Sequence, residues 1–448
     1  MHAHWVHGAL FATVMGTSGC LHAQAAPAPR SPAPATAPIR PASRAAVRAM
    51  LDSVVDHPRF RNAQWGVLVV DPGSGDTLYS YNAHKLFMPA SNEKVVTAAV
   101  ALTLLGPDFK FTTRVAMRGV QRDTVLDGDI VVFGTGDPTF SDHIRRDALI
   151  PLREMADSVR AHGIHYVDGR LRRGTPLFTD AALGYGWEWN DLGIAFGAPV
   201  GDLMFNDAFA RTTVTVDGVP DTSHAKLPPF RNFLDAFDGA LKQRGVRTLI
   251  GWDWTTTVAD SGLTTLFTYE SPPLRDILPH FLKPSQNQIG EILLKTLGRM
   301  QTGIATSDSG AAVVARTLRA WGVDSSAIVV HDGSGLSRHD LVSPEALVRV
   351  LDQMRRDSTF GAYYAALPIA GVDGTLEYRL RGTAAALNAH AKTGSMDRVR
   401  AMSGYVTSAD GRLLEFSLIA NDWTVPGAEV DATLDRIVAH LAALHVGG

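Results

Sequence analysis

Three polar strings stand in order along this chain: Ser91-Asn92-Glu93-Lys94, Ser285-Gln286-Asn287 and Lys392-Thr393-Gly394. The texture between the first and second differs from the texture around all three, and this limits the fold. Before the first string, residues 65–70 (WGVLVV) read as a strand, Asp71-Pro72-Gly73-Ser74-Gly75-Asp76 as a turn, and residues 77–81 as the returning strand of a hairpin. Pro89-Ala90-Ser91 breaks the chain, and residues 92–105 form a helix of small and β-branched residues. Residues 45–55, 287–297 and 310–321 also have helical spacing. At the far end, residues 390–393, 401–406 and 413–420 read as strands, with a turn at Ala409-Asp410-Gly411 and a closing helix over 430–444. The middle, from about Gly119 to Ser261, is made of short strand-like runs and turn clusters, including 129–133, 212–216 and 249–254. The expectation is an α+β fold in which an antiparallel sheet with helices, built from both ends of the chain, is interrupted by a β-rich insertion.

A chain of 448 residues is too long for one ordinary core. The expected divisions are 1–25 (leader), 26–44 (Pro/Ala-rich tether), 45–118 and 262–448 (the two halves of the main domain) and 119–261 (insertion). Residues 7–19 are apolar but too short to span a bilayer, and Ala23-Gln24-Ala25 offers small residues at a signal-peptidase spacing. Export across the inner membrane to the periplasm is expected, with lipid attachment at the lone Cys20 as the alternative. One cysteine allows no internal disulfide. A net charge of −3 gives no basis for a nucleic-acid partner.

Each string suits one part of a serine-based acyl transfer. Ser91 and Lys94 are three apart, so a helix beginning at Ser91 makes them neighbours. A serine hydroxyl needs a base, and a buried lysine that has lost its proton can be one. The helix start also favours negative charge developing near Ser91. Ser223-His224-Ala225-Lys226 has the same spacing but runs into Leu227-Pro228-Pro229, which does not begin a helix well. Otherwise Ser91 is an ordinary helix cap. Ser285 would relay a proton to a leaving amine, and Asn287 would hold a substrate amide and the neighbouring lysine. The same string also reads as a helix cap, and Ser80-Tyr81-Asn82 repeats its pattern at a strand end.

Lys-Thr-Gly occurs once, and only eight of the 42 basic residues are lysines, so a chance match is rare. Lys392 and Thr393 suit a substrate carboxylate, Gly394 admits a close backbone, and the Ser395 N–H with that of Ser91 would make an oxyanion hole. The bland reading of Lys392 is a solvated lysine on an edge strand.

The 16 histidines show no metal-ligand spacing, and Gly134-Thr135-Gly136-Asp137 lacks the rest of a nucleotide loop, so neither metal nor cofactor is expected. Trp187-Glu188-Trp189 reads as packing.

Joined in this order, the strings are the S-x-x-K, S-x-N and K-T-G signature, and the chain resembles the penicillin-binding D-alanyl-D-alanine carboxypeptidase/endopeptidases of the DacB type (peptidase family S13). The likeness extends to Leu105-Gly106-Pro107-Asp108-Phe109, Gly134 to Pro138, Gly186-Trp187-Glu188-Trp189-Asn190-Asp191, Asp332 to Arg338, Leu341-Val342-Ser343-Pro344 and Gly371 to Leu376. It implies a serine β-lactamase/transpeptidase-like domain that acts on peptidoglycan stem peptides and is acylated at Ser91 by β-lactams. It also implies an aspartate at position 174, where Gly stands, and a longer stretch between Ser91 and Ser285. Two alternatives stay open at this point: a β-lactamase or esterase of the same superfamily, and a cell-wall-binding or β-lactam-sensing protein that acylates and stalls. The preferred stem peptide and the oligomeric state are not legible.

Overall fold

The computed structural model describes residues 42–192, 195–197, 199–208, 214–216, 219–221 and 229–447. All of these belong to one unit, Pro38–Gly448. The leader, Cys20, most of the tether and the Ser223-to-Lys226 match lie outside the described residues.

The chain enters through a short parallel pairing of Ala42–Ser43 with Leu444–His445, so the tether expected to reach residue 44 ends earlier. Helix α1 (Arg44–Val55) follows, its first turn capped by the Ser43 hydroxyl, which accepts from the Ala46 N–H. Strands β1 (Gln64–Asp71) and β2 (Asp76–Tyr81) form the expected hairpin. A single 3-10 turn, Ala90–Asn92, leads into helix α2 (Glu93–Leu105).

The insertion starts earlier and ends later than the sequence texture suggests. Strands β3 (Thr112–Arg122) and β4 (Val125–Gly134) pair as a long hairpin, and β3 runs unbroken through Gly119. Then come α3 (Leu149–Ala161), β5 (Tyr166–Asp168), β6 (Leu171–Gly174), α4 (Pro229–Gln243), β7 (Arg247–Thr248), β8 (Trp252–Val258) and β9 (Thr264–Glu270). Strand β9 lies beyond residue 261 yet pairs with β3, so it belongs to the insertion's sheet. That seven-stranded sheet has the order β7-β5-β4-β3-β9, with β6 beside β4 and β8 beside β6. Helices α3 and α4 cover it, burying Leu152, Met155, Phe233 and Phe237 against Ile130, Val132 and Leu171. Gly174 ends β6 where an added Cβ would come within 2.0 Å of the Phe133 ring. The aspartate implied for position 174 has no room there.

The chain then returns to the main domain with α5 (Leu274–Leu282), α6 (Asn287–Thr302), α7 (Ser307–Ala320), α8 (Pro344–Arg356) and α9 (Phe360–Ala366). Strands β10 (His390–Met396), β11 (Val399–Thr407) and β12 (Leu413–Asn421) and helix α10 (Gly427–Ala442) complete it. The sheet order is β10-β11-β12-β1-β2, all neighbours antiparallel. The β12–β1 pairing, with Ser417 opposite Leu68, joins the two ends of the chain as expected.

An antiparallel sheet often leaves one face in water, but this one is covered on both. Alternate residues of β11 show why: Met402 and Val406 pack with α1 and α10, and Ala401 and Tyr405 pack with α2, α5 and α8. Helix α2 lies within the second layer and is buried on every side from Glu93 to Leu102. A helix that is apolar all round is a core helix. The 3-10 turn that leads into it and carries Ser91 is therefore set inside the domain, with α2 against α6 and the turn against β10.

Candidate active site

The start of α2 is held in one place by two close backbone approaches. Gly394 on β10 faces the turn: a Cβ there would meet the Pro89 carbonyl at 2.5 Å. Gly335, in the 331–340 loop, has φ +77°, and a Cβ on it would come within 1.9 Å of the Ala90 carbonyl. Ala90 itself sits at φ 47°, a conformation that disfavours any residue with a side chain. Strain of this kind persists only where the surroundings impose it. Here the surroundings are the two glycines, and the result is a sharp turn that presents Ser91.

Lys94 is fully buried one turn later. Its Nζ lies 2.8 Å from Ser91 Oγ, 2.6 Å from Asn287 Oδ1 and 2.7 Å from the Ser334 carbonyl. The last two atoms can only accept hydrogen bonds. A neutral amine has two N–H groups and one lone pair, so satisfying both acceptors aims the lone pair at Ser91. Burial is the main reason the lysine pKa falls, to about 7, while Asp332, Glu291 and Glu93 pull the other way. The first string thus places a serine hydroxyl and a buried amine in contact.

Asn287 opens α6. Its Oδ1 accepts from Lys94 and its Nδ2 donates to the Phe196 carbonyl at 2.8 Å, which fixes the orientation of its amide. The cap of α6 is Gln286, whose side chain accepts from the Ile289 N–H. Ser285 is half-buried with φ 65°. Ser285 makes no hydrogen bond to Lys392 among the described residues: the Lys392 amine donates to the Thr393 carbonyl at 2.7 Å.

Lys392 is not a solvated edge lysine. It is fully buried, although β10 is the edge strand, because the strand's open side faces the Ala90–Asn92 turn. Burial, with the Lys94 charge adding to it, holds its pKa well below the usual lysine range. Thr393 Oγ1 and Thr375 Oγ1 are 2.7 Å apart, so the Gly371-to-Leu376 segment forms part of the wall. Ser395 is exposed on the same strand. Ser80 and Tyr81 of the repeated pattern sit in β2, at the opposite edge of the sheet from β10.

Several residues to which the sequence reading gave no role at the site also stand there. Asp332 is fully buried and accepts from the N–H groups of Ser334, Gly335 and Ser337 and from Trp187 Nε1, which shapes the loop that brings the Ser334 carbonyl to Lys94. Glu93, Glu291 and Asp340 are buried around it. A cluster of Gly, Ser and Asp signals a turn, but sequence alone does not say that the turn is buried. Trp187 and Trp189 also part company. The first is tied to Asp332, whereas Trp189 is 86% exposed, contrary to the packing role expected for it. Glu188 pairs with Arg338 at 2.7 Å, and Arg338 donates to the Asp397 carbonyl, so the cleft is bordered by the 184–191 segment, the 331–340 loop and the β10–β11 turn.

The sequence model of the D-Ala-D-Ala carboxypeptidase 3 (S13) family matches residues 47–233 and 220–444. A D-alanyl-D-alanine carboxypeptidase of Actinomadura sp. (strain R39) is 30% identical, over 91% of this chain and 87% of its own. Penicillin-binding protein 4 (dacB) of Haemophilus influenzae has a similar structure, with TM-score 0.73 at 23% identity over 88% of this chain and 98% of that one. It has also been crystallised with a β-lactam. A predatory peptidoglycan endopeptidase of Bdellovibrio bacteriovorus shares the fold at TM-score 0.54 and 17% identity, over 84% of this chain and 92% of its own.

Proposed function

The chain belongs to the D-Ala-D-Ala carboxypeptidase 3 (S13) family, and from that premise we propose how its own residues carry out serine D-Ala-D-Ala peptidase chemistry on peptidoglycan stem peptides. The observation that carries the assignment is the buried Lys94 amine, with two acceptor-only partners and its remaining side against Ser91.

Lys94 takes the Ser91 proton as Oγ attacks the carbonyl carbon of the penultimate D-alanine. The N–H groups of Ser91 and Ser395 stabilise the oxyanion. As the tetrahedral adduct collapses, the C–N bond breaks and the departing amine receives a proton through Ser285, with Lys392 behind it. Lys392 and Thr393 hold the terminal carboxylate, and Gly394 lets the substrate backbone approach the strand. The substrate carboxylate then takes the place of the Thr393 carbonyl as the partner of Lys392. Water completes the cycle by hydrolysing the ester on Ser91. The leaving group is terminal D-alanine in the carboxypeptidase reaction and a cross-link amine in the endopeptidase reaction. A β-lactam acylates the same oxygen, because ring opening at its amide repeats the first step.

The test is release of D-alanine from a stem pentapeptide, run beside cleavage of a cross-linked dimer. The assignment expects turnover of at least one substrate, abolished in Ser91→Ala. A stable acyl adduct without release of either product would overturn it in favour of a sensor.

The expected leader lies outside the described residues. Among them, no helix is long and apolar enough to cross a membrane. We place the working enzyme in the periplasm because its substrate is there.

A further inference from the structure

Glu93 lies between Ser91 and Lys94 in sequence and opens α2. An acid in the first turn of a helix is ordinarily solvated and stabilised by the helix dipole. This one is fully buried, and neither carboxyl oxygen has a hydrogen-bond partner among the described residues. Its Cβ stands 2.8 Å from where a Cβ on Gly335 would be, so the buckled 331–340 loop seals it in.

The groups around it are mostly acids. Asp332 and Asp340 face it from the 331–340 loop, Glu291 from α6, and Lys94 from its own helix. Lys295 stands behind Glu291, and Lys392 faces Lys94 from β10. An unpaired carboxylate in such a place is strongly disfavoured, and protonation removes that cost.

We propose that Glu93 is a positioning residue for Lys94: held as a neutral acid beside the Ser91–Lys94 pair, it leaves the amine free to take the serine proton, and when it ionises it shuts the site down at alkaline pH. The inference rests on Ser91 and Lys94 being nucleophile and base. While Glu93 keeps its proton, it places no negative charge near Lys94. Once ionised, it favours the ammonium form of Lys94 and opposes the oxyanion forming at Ser91. Burial, with Asp332 adding to it, raises the Glu93 pKa to about 8, and the same two causes raise that of Glu291 to about 8 as well. Glu93 titrates together with the acids packed around it, so replacing Glu93 alone isolates its share.

The experiment is the pH dependence, from 5.5 to 10, of the rate constant for acylation by a fluorescent penicillin. It compares wild type, Glu93→Gln and Glu93→Met, each scaled to its own maximum. Both variants keep the side-chain length and lose no hydrogen bond, and near-UV circular dichroism checks their packing. Wild type is expected to rise to a maximum and then fall, approaching tenfold per pH unit on the alkaline side. Both variants are expected to keep the rise and to show a shallower fall, the remainder following Glu291, which is raised alike. Should one variant fail to fold, the other decides. Variant profiles that superimpose on wild type, or a wild type with no alkaline fall, overturn the proposal. Peptide mapping separates this from failure of the site assignment: label on a residue other than Ser91 refutes the assignment, and label on Ser91 with unchanged profiles refutes only the role of Glu93.

Discussion

Lys94 and Asn287 are 193 residues apart in sequence, and their Nζ and Oδ1 atoms are 2.6 Å apart. The insertion's sheet lies between them in sequence, so the pair exists only when the chain has returned from that sheet to the main domain. Asn287→Ala removes one of the two acceptors that turn the amine toward Ser91. Acylation by penicillin is expected to slow by about 10²-fold, in the range for a displaced proton-transfer group. Stopped-flow fluorescence with a labelled penicillin measures it. A change below threefold would show that the Ser334 carbonyl alone is sufficient.

Gly394→Ala tests the close approach at the nucleophile turn. Its Cβ would meet the Pro89 carbonyl at 2.5 Å, so the turn or the strand must move. A displacement of about 1 Å is enough to cost roughly 10²-fold in rate. The acylation rate is expected to fall by that order while the circular dichroism spectrum is kept.

Asp332→Asn should act on stability. The buried carboxylate accepts from three backbone N–H groups and from Trp187 Nε1. An amide offers one acceptor oxygen and puts two donors where acceptors were needed. Breaking such a network costs about 3 kcal/mol. Urea unfolding measures the loss, which should appear as a lower midpoint with a similar slope.

The Glu93 carboxyl also predicts a pH-dependent difference in stability. Its pKa is raised in the fold to about 8 from the ordinary 4.5, so the fold keeps a proton that the unfolded chain loses. That contribution is fully present below pH 4.5 and is lost as pH rises through 8. Glu93→Gln has no such proton. The melting temperature of Glu93→Gln minus that of wild type should therefore climb from pH 5 to pH 8 and then level off. A difference that stays flat would mean the carboxyl is ionised in the fold.

Much of this was legible in the sequence because the main sheet is made of plain signals. Residues 65–70 and 413–420 are long apolar runs bounded by turns, and they became β1 and β12. Residues 92–105 gave α2 because a helix apolar on all sides has one place to go. The insertion's limits were not legible: β3 crosses Gly119 with no break in pattern, and β9 reveals its membership only by pairing with β3. The strings named Ser91 and Asn287, which meet at Lys94, but not the Ser334 carbonyl, and they gave no role to the buried acids. Glu93 looks like any acid in a first helical turn, and Asp332 looks like a turn residue. Only burial separates them from those ordinary roles. The burial of Lys392 was equally hidden, since an edge strand normally leaves a lysine in water.

The central claim is that Ser91 is the nucleophile and Lys94 its base. It is tested most directly by incubating wild type, Ser91→Ala and Lys94→Met with a labelled penicillin and locating the adduct by peptide mass mapping. The account predicts one label on the wild-type peptide containing Ser91, none on Ser91→Ala, and labelling slowed by 10²- to 10⁴-fold, roughly, on Lys94→Met. A Ser91→Ala protein that is still labelled at the wild-type rate would contradict it.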